Sequence, residues 1–282
     1  MLLIGGSRFV GPPLIDVLLQ RGHEVSVFNR GILQSAYRKG VRFIKGNRDG
    51  GFDMRDRFDA VIDMCAYTGE QTRRALRDLN FDFFVHMSTA AVYKKQEKFP
   101  IREDTELGSR PALGDYGEGK IECELALKKS AVAFAVIRPV YILGPQNYVE
   151  RERFLYAKIK NGDPIVLPGN GQALIQFTFA RDVAASLALL AEKEIGGAFN
   201  CAGSEVITLK GLVEEMAAIM ERSARVEYNA ASDGDNFNLA EFPFANLNLY
   251  CANDKLTRLG ISFTDLSAGL REDYERYYKH AV

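Results

Sequence analysis

Tyr116 and Lys120 stand four residues apart in Tyr116-Gly117-Glu118-Gly119-Lys120. On a helix that spacing puts both side chains on one face, with Cβ atoms roughly 6 Å apart. An ammonium that close favours a phenolate and lowers a tyrosine pKa of about 10 by roughly 1–3. A general base then comes within reach of neutral pH. Asp115 and Glu118 read as a capping box that sets Tyr116 in the first helical turn. Gly117 and Gly119 cost a helix about 1 kcal/mol each, so something approaches that face closely, and a cofactor's ribose suits. Upstream, Ser88-Thr89-Ala90-Ala91-Val92-Tyr93 follows the apolar run Phe81–Met87. Its two hydroxyls stand at the carboxyl end of a strand, where ligands bind in open α/β sheets.

The start of the chain offers a partner for such chemistry. Leu2-Leu3-Ile4 runs into Gly5-Gly6-Ser7-Arg8-Phe9-Val10-Gly11, and Leu14, Val17 and Leu18 follow at helical spacing. Strand, glycine turn and helix start make a nucleotide-binding pattern. Gly5 and Gly6 let bare backbone approach a pyrophosphate, and Gly11 lets the helix pack closely. Phosphates there would face unpaired N–H groups at the positive end of the helix. Arg8 replaces the middle glycine of the usual spacing.

These residues need elements to hold them. Short apolar strands are expected at Leu2–Ile4, Glu24–Phe28, Val41–Lys45, Ala60–Met64, Phe81–Met87 and Ala133–Arg138. Helical patterns at Phe9–Arg21, Glu70–Asp78 and Tyr116–Lys129 lie among them, and Gly22 suits a C-terminal cap. The alternation predicts an α/β fold, a doubly wound parallel Rossmann-type sheet with right-handed crossovers. After Pro139 come helices at Tyr148–Asn161, Asp182–Lys193 and Leu209–Glu221, a strand at Ala198–Cys201, and an aperiodic stretch over 223–250. The expected division is a Rossmann domain of residues 1–140 with returning segments near 177–202. A smaller substrate-binding lobe takes 141–176 and 203–282.

The bulk numbers narrow the class. The 282 residues carry 36 Lys and Arg against 37 Asp and Glu, a net charge of −1, which supplies no excess cation for a phosphate backbone. The four cysteines, Cys65, Cys123, Cys201 and Cys251, lack metal-like spacing, so no metal site is expected and the thiols read as reduced. No apolar run approaches the ~20 residues that span a bilayer, and the first strand begins at once, leaving no room for a signal peptide. A cytoplasmic protein with a small-molecule substrate is expected.

Taken together, the motifs resemble the extended short-chain dehydrogenases/reductases, often labelled NAD-dependent epimerase/dehydratases. The likeness runs from Leu2 to about Tyr278. Its markers are the glycine turn, STAAVY, the Tyr116/Lys120 pair, Arg138-Pro-Val-Tyr-Ile-Leu-Gly-Pro145, Phe179–Ala184, Phe199–Gly203 and Lys255–Gly260. The turn with Arg8 looks most like an atypical bacterial subgroup that also resembles chloroplast stem-loop RNA-binding proteins.

The resemblance implies an NAD(P)-dependent oxidoreductase or epimerase acting on a hydroxyl or carbonyl of a small, possibly sugar-like substrate. Tyr116 would be the acid/base, Lys120 would bind the nicotinamide ribose, and Thr89, ahead of Ser88, would hydrogen-bond the substrate oxygen. The cofactor would meet Gly5, Ser7, Arg8, Phe9, Val10, Gly11, Asn29, Arg30, Asn47, Arg48, Cys65, Ala66, Lys120 and Pro139. Asn29-Arg30 replaces the aspartate that NAD-preferring members use on the ribose. NADP is therefore preferred over NAD, with Arg30 pairing the 2′-phosphate. Ala90 and Ala91 stand where dehydratases carry acidic residues, which disfavours dehydration. Ile175 stands where an arginine would meet a nucleotide diphosphate, so Arg153 or Arg181 would have to compensate. The resemblance also implies a homodimer, and it places 94–114 and 223–250 along the substrate site. The competing readings are an RNA-binding protein, which the near-neutral charge disfavours, and a cofactor-sensing regulator without turnover.

Overall fold

The computed structural model describes residues 1–33, 39–108, 115–232, 238 and 240–282. Of the stretches expected along the substrate site, 109–114, 233–237 and 239 lie outside the described residues. Seven parallel strands build the central sheet: β1 (Leu2–Ile4), β2 (Val25–Asn29), β3 (Val41–Lys45), β4 (Arg57–Asp63), β5 (Asn80–Met87), β6 (Ala133–Pro139) and β10 (Gly197–Cys201). Their order is β10-β6-β5-β4-β1-β2-β3, the Rossmann-type doubly wound arrangement, which turns back beside β1 and opens a crevice there.

The period of two explains why both faces are apolar. Leu3, Val27, Ile62, Val85 and Ile137 meet α1 (Gly11–Gln20) and α5 (Ala180–Lys193) on one side. Leu2, Phe28, Val61, Phe84 and Val136 meet Ala75 of α2 (Gly69–Asp78) and Leu127 of α3 (Asp115–Lys128) on the other. A helix on each face is what makes such strands continuous apolar runs.

A second core lies beside the sheet. Strands β7 (Tyr141–Leu143), β9 (Leu174–Phe179) and β11 (Val206–Thr208) form a three-stranded sheet, and β8 (Ile165–Pro168) pairs with β12 (Val226–Asn229). Ile175 and Phe177 pack there with Leu155 of α4 (Arg151–Asn161) and Leu212 of α6 (Leu209–Ile219). Residue 256, within α7 (Asp254–Arg258), packs instead on the first core, while Leu266 and Leu270 of α8 (Leu266–Asp273) pack on the second.

Some boundaries differ from the expected ones for local reasons. The first helix opens at Gly11, because Phe9 sits in the left-handed region at φ 59°. Helix α4 opens at Arg151, because Glu150 has φ 44°. The stretch read as aperiodic contains β12, whose partner β8 is some sixty residues earlier and leaves no local trace.

Candidate active site

The turn between β1 and α1 forms the floor of a cleft of about 510 Å³, within the usual range for small-molecule sites. Gly5 and Gly6 have φ 99° and 82°, which side chains rarely adopt. A Cβ on Gly11 would run into the Gly6 backbone, so the helix start closes tightly on the turn. The donors differ from expectation. Pro12 and Pro13 occupy the first helical turn and have no N–H, while Gly11 donates to the Arg8 carbonyl. The helix end therefore has fewer free donors than a glycine-opened one. Positive charge comes from Arg8, whose guanidinium lies 5.0 Å from the centre of the Tyr148 ring.

At the β2 end of the cleft, Asn29 accepts from Gly31 N–H at 2.8 Å, which fixes the amide's orientation. Among the described residues its buried Nδ2 has no hydrogen-bond partner, and the residue lines the cleft. A buried donor left unpaired is costly, so this one marks where a ligand acceptor fits. Arg30 is exposed beside it. Asn47 lines the cleft and accepts from Asp49 N–H at 3.2 Å. Arg48 also borders the cleft, but its guanidinium is engaged: it donates to both Asp63 oxygens at 2.7 and 2.8 Å and to the Gln71 carbonyl at 3.1 Å. Burial opposes the Asp63 carboxylate, yet the Arg48 charge and hydrogen bonds hold its pKa below the ordinary range. Its role is to tie the loops after β3 and β4 together.

At the other end, the Thr89 hydroxyl lies close enough to the Tyr116 phenol to favour its ionised form. Thr89 also accepts from Ala91 N–H at 3.2 Å. Ser88 is occupied elsewhere: its hydroxyl donates to Glu124 at 2.7 Å, inside a network in which Arg138 holds both Glu124 oxygens and Tyr93 bonds Asn200. The two adjacent hydroxyls therefore separate into one at the site and one in the core.

Lys120 behaves differently from the reading of the Tyr/Lys spacing. It is 2% exposed, donates to the Met87 carbonyl at 2.7 Å, and lies 5.0 Å from the centre of the Tyr67 ring. Burial lowers its pKa, against the pull of Cys123, Asp63 and Cys65. Tyr116 is raised where lowering was expected. Loss of hydration around its hydroxyl, and then Tyr148, push it up to about 12, although the residue as a whole is 41% exposed. Thr89 and Arg151 pull the other way. The spacing of four fixes the shared helix face but not the direction in which a buried ammonium turns.

The two helical glycines also have a different neighbour from the one expected. A Cβ on Gly119 would overlap the Tyr67 carbonyl oxygen, and one on Gly117 would lie 3.3 Å from the Ala91 carbonyl oxygen. The chain's own backbone approaches that face.

Gly5, Ser7, Arg8, Phe9, Val10, Gly11, Asn29, Arg30, Asn47, Arg48 and Cys65 all line the cleft. Ala66, Pro139 and Lys120 are not on its wall: Ala66 and Pro139 are buried, and Tyr67 stands in front of Lys120. Sequence reasoning passed over Tyr67 and Tyr148, which both line the cleft. For Tyr67 a signal existed: it follows a strand's carboxyl end by a few residues. For Tyr148 there was none, because its loop reaches the cleft only through the tertiary fold. Among the described residues no cluster of His, Cys, Asp and Glu could hold a metal, and no helix is long and apolar enough to cross a membrane.

The cleft fits an elongated dinucleotide, since bare glycine backbone, an unpaired donor and free cations succeed one another along it. Comparisons with known proteins agree with that geometry. The chloroplast stem-loop binding protein of 41 kDa b from Arabidopsis thaliana is 28% identical over 300 residues, covering 97% of this chain and 78% of that protein. UDP-glucose 4-epimerase from Lactobacillus helveticus is 27% identical over 179 residues, covering 52% of this chain and 53% of the enzyme. Two solved structures share the fold. UDP-glucuronic acid 4-epimerase from Bacillus cereus, in complex with UDP-glucuronic acid and NAD, has a TM-score of 0.78 at 19% identity, covering 100% of this chain and 99% of that one. UDP-glucose 4-epimerase from Thermotoga maritima, with UDP-glucose, has a TM-score of 0.79 at 17% identity with the same coverage. The family model for the NAD dependent epimerase/dehydratase family matches residues 70–202, the span that carries Thr89, Tyr116 and Lys120. Over that span the chain is similar to the NAD dependent epimerase/dehydratase family.

Proposed function

We propose that this chain is an NAD(P)-dependent oxidoreductase or epimerase that interconverts a hydroxyl and a carbonyl on a small, sugar-like substrate. The observation that carries this reading is the placing of the Thr89 hydroxyl beside the Tyr116 phenol at the carboxyl edge of the sheet, next to a cleft lined by the glycine turn. Bound there, the dinucleotide supplies the hydride acceptor, and everything else falls to the chain. Thr89 orients the substrate oxygen, and Tyr116 takes its proton or returns it. Lys120 fixes the Met87 carbonyl end of β5 beneath them and keeps a positive charge behind the Tyr67 ring. With Tyr116 at about 12 in the unliganded site, added positive charge is needed to bring the phenol into range.

For the cofactor, NADP is proposed ahead of NAD. Support comes from Asn29, which offers a donor where a carboxylate would repel a 2′-phosphate, and from exposed Arg30. NAD is what the similar solved structures hold. A cytoplasmic homodimer belongs to the same reading. The name of the Arabidopsis relative raises RNA binding, but a net charge of −1 leaves little to neutralise phosphates.

The test is Tyr116→Phe in the purified protein, with a carbonyl and polyol panel and both dinucleotides. The phenol is the only proton carrier lost. Turnover should fall at least a thousandfold while dinucleotide affinity stays within about twofold. Turnover equal to the wild type overturns the proposal.

A further inference from the structure

Resting on the reading above, the geometry points to Arg151 as the residue that selects the substrate, through one anionic group, a carboxylate or a phosphate monoester. Arg151 opens α4, half-buried, three residues after Tyr148, which lines the cleft. Its guanidinium carbon lies 5.2 Å from the centre of the Tyr141 ring and 5.7 Å from that of Phe244, and Nε donates to the Pro243 carbonyl at 3.4 Å. Two rings and one carbonyl thus hold the planar group from behind.

The charge of Arg151 reaches both Tyr116 and Glu152, favouring the ionised form of each. Glu152 itself is turned inward, accepting from Gly144 N–H at 2.6 Å and Asn147 Nδ2 at 2.9 Å. Among the described residues no carboxylate forms an ion pair with Arg151. The arginines considered as substitutes are occupied: Arg153 pairs with Glu150 at 2.9 Å, and Arg181 with Asp273 at 3.1 Å. A cation at the positive end of its own helix is unfavourable without an anion to meet. Guanidinium geometry suits a carboxylate or a phosphate.

Arg151 is a single cation, which matches a single anionic group. Ile175, at the position where a second arginine would meet a nucleotide diphosphate, is fully buried in the second core. The substrate class is therefore a sugar-like molecule bearing a single acid or phosphate, placed so that its reacting hydroxyl meets Tyr116.

The experiment measures binding of D-glucose, D-glucuronate, D-glucose 6-phosphate and UDP-glucose by calorimetry to dinucleotide-saturated wild type, Arg151→Gln and Arg151→Lys. At least one of the two sugars that bear a single acidic group should bind the wild type tenfold or more tightly than glucose. Arg151→Gln should abolish that preference, Arg151→Lys should restore part of it, and dinucleotide affinity should stay within twofold as the folding control. Glucuronate against glucose 6-phosphate decides between carboxylate and phosphate. A preference unchanged in Arg151→Gln overturns the inference, as does failure of both charged sugars to outbind glucose, or UDP-glucose binding tightest irrespective of residue 151. A preference that follows Arg151 in a protein whose Tyr116→Phe variant turns over normally supports the inference and sinks the reading of Tyr116 as the acid/base.

Discussion

The Tyr67 ring stands 5.0 Å from Lys120 Nζ, and the Tyr67 carbonyl oxygen presses on Gly119, the residue before that lysine. One residue therefore sets both the height of α3 against the loop after β4 and the surroundings of its ammonium.

Gly119→Ala should destabilise the protein. Alanine gains about 1 kcal/mol of helix propensity, but its methyl would overlap backbone, and forced overpacking costs about 1–3 kcal/mol. Urea unfolding should show a net loss of up to roughly 2 kcal/mol, together with weaker dinucleotide binding as α3 shifts Lys120. Stability equal to the wild type would show that the loop yields freely.

Arg30→Ala tests cofactor choice. A charge-assisted hydrogen bond contributes about 1.5–3 kcal/mol, so affinity for NADP should fall by at least tenfold. Affinity for NAD, which has no 2′-phosphate, should change less than twofold. Titration of each dinucleotide gives the comparison, and equal losses for both would remove the basis for preferring NADP.

His86 makes the protein sensitive to acid. It is fully buried on β5 beside Asp63 of β4, with neither ring nitrogen hydrogen-bonded among the described residues. Burial, followed by the charge of Lys120, lowers its pKa from 6.5 to about 3. The unfolded chain then binds the extra proton between those values, so stability falls as pH drops through that window and is unaffected above it. At pH 5 the loss is about 2 kcal/mol. His86→Leu, of similar size and without unpaired nitrogens, should equal the wild type at pH 8 and exceed it at pH 5. Parallel unfolding curves at both pH values would refute this.

Glu152 works in the opposite direction. Burial raises its pKa from 4.5 to about 7, against the hydrogen bonds from Gly144 and Asn147. Here the folded state holds the extra proton, so stability falls as pH rises through this window. Between pH 5 and pH 8 the wild type should lose about 2–3 kcal/mol more than Glu152→Gln. Identical slopes in the two proteins would count against it.

Most of the fold was legible because its signals are local. Leu2, Leu3 and Ile4 alternate between two apolar faces, Gly22 ends a helix with φ 84°, and short apolar runs separated by helical ones leave few arrangements. Strands β8 and β12 escaped notice because their pairing joins Ile165 to Val226, and long-range pairing leaves no period in either segment.

For the site, residue types and spacing determined by themselves that Tyr116 and Lys120 share a helix face, that Thr89 ends a strand, and that glycines line a turn beside it. Only the tertiary structure decided which way the polar groups turn. Ser88 goes to Glu124 while Thr89 stays beside Tyr116. Lys120 goes to the Met87 carbonyl, and Arg151 stands free of any carboxylate among the described residues. The reason is physical: a buried donor or charge takes whichever acceptor the packing of distant segments brings within about 3 Å, and no reading along one segment contains that distance.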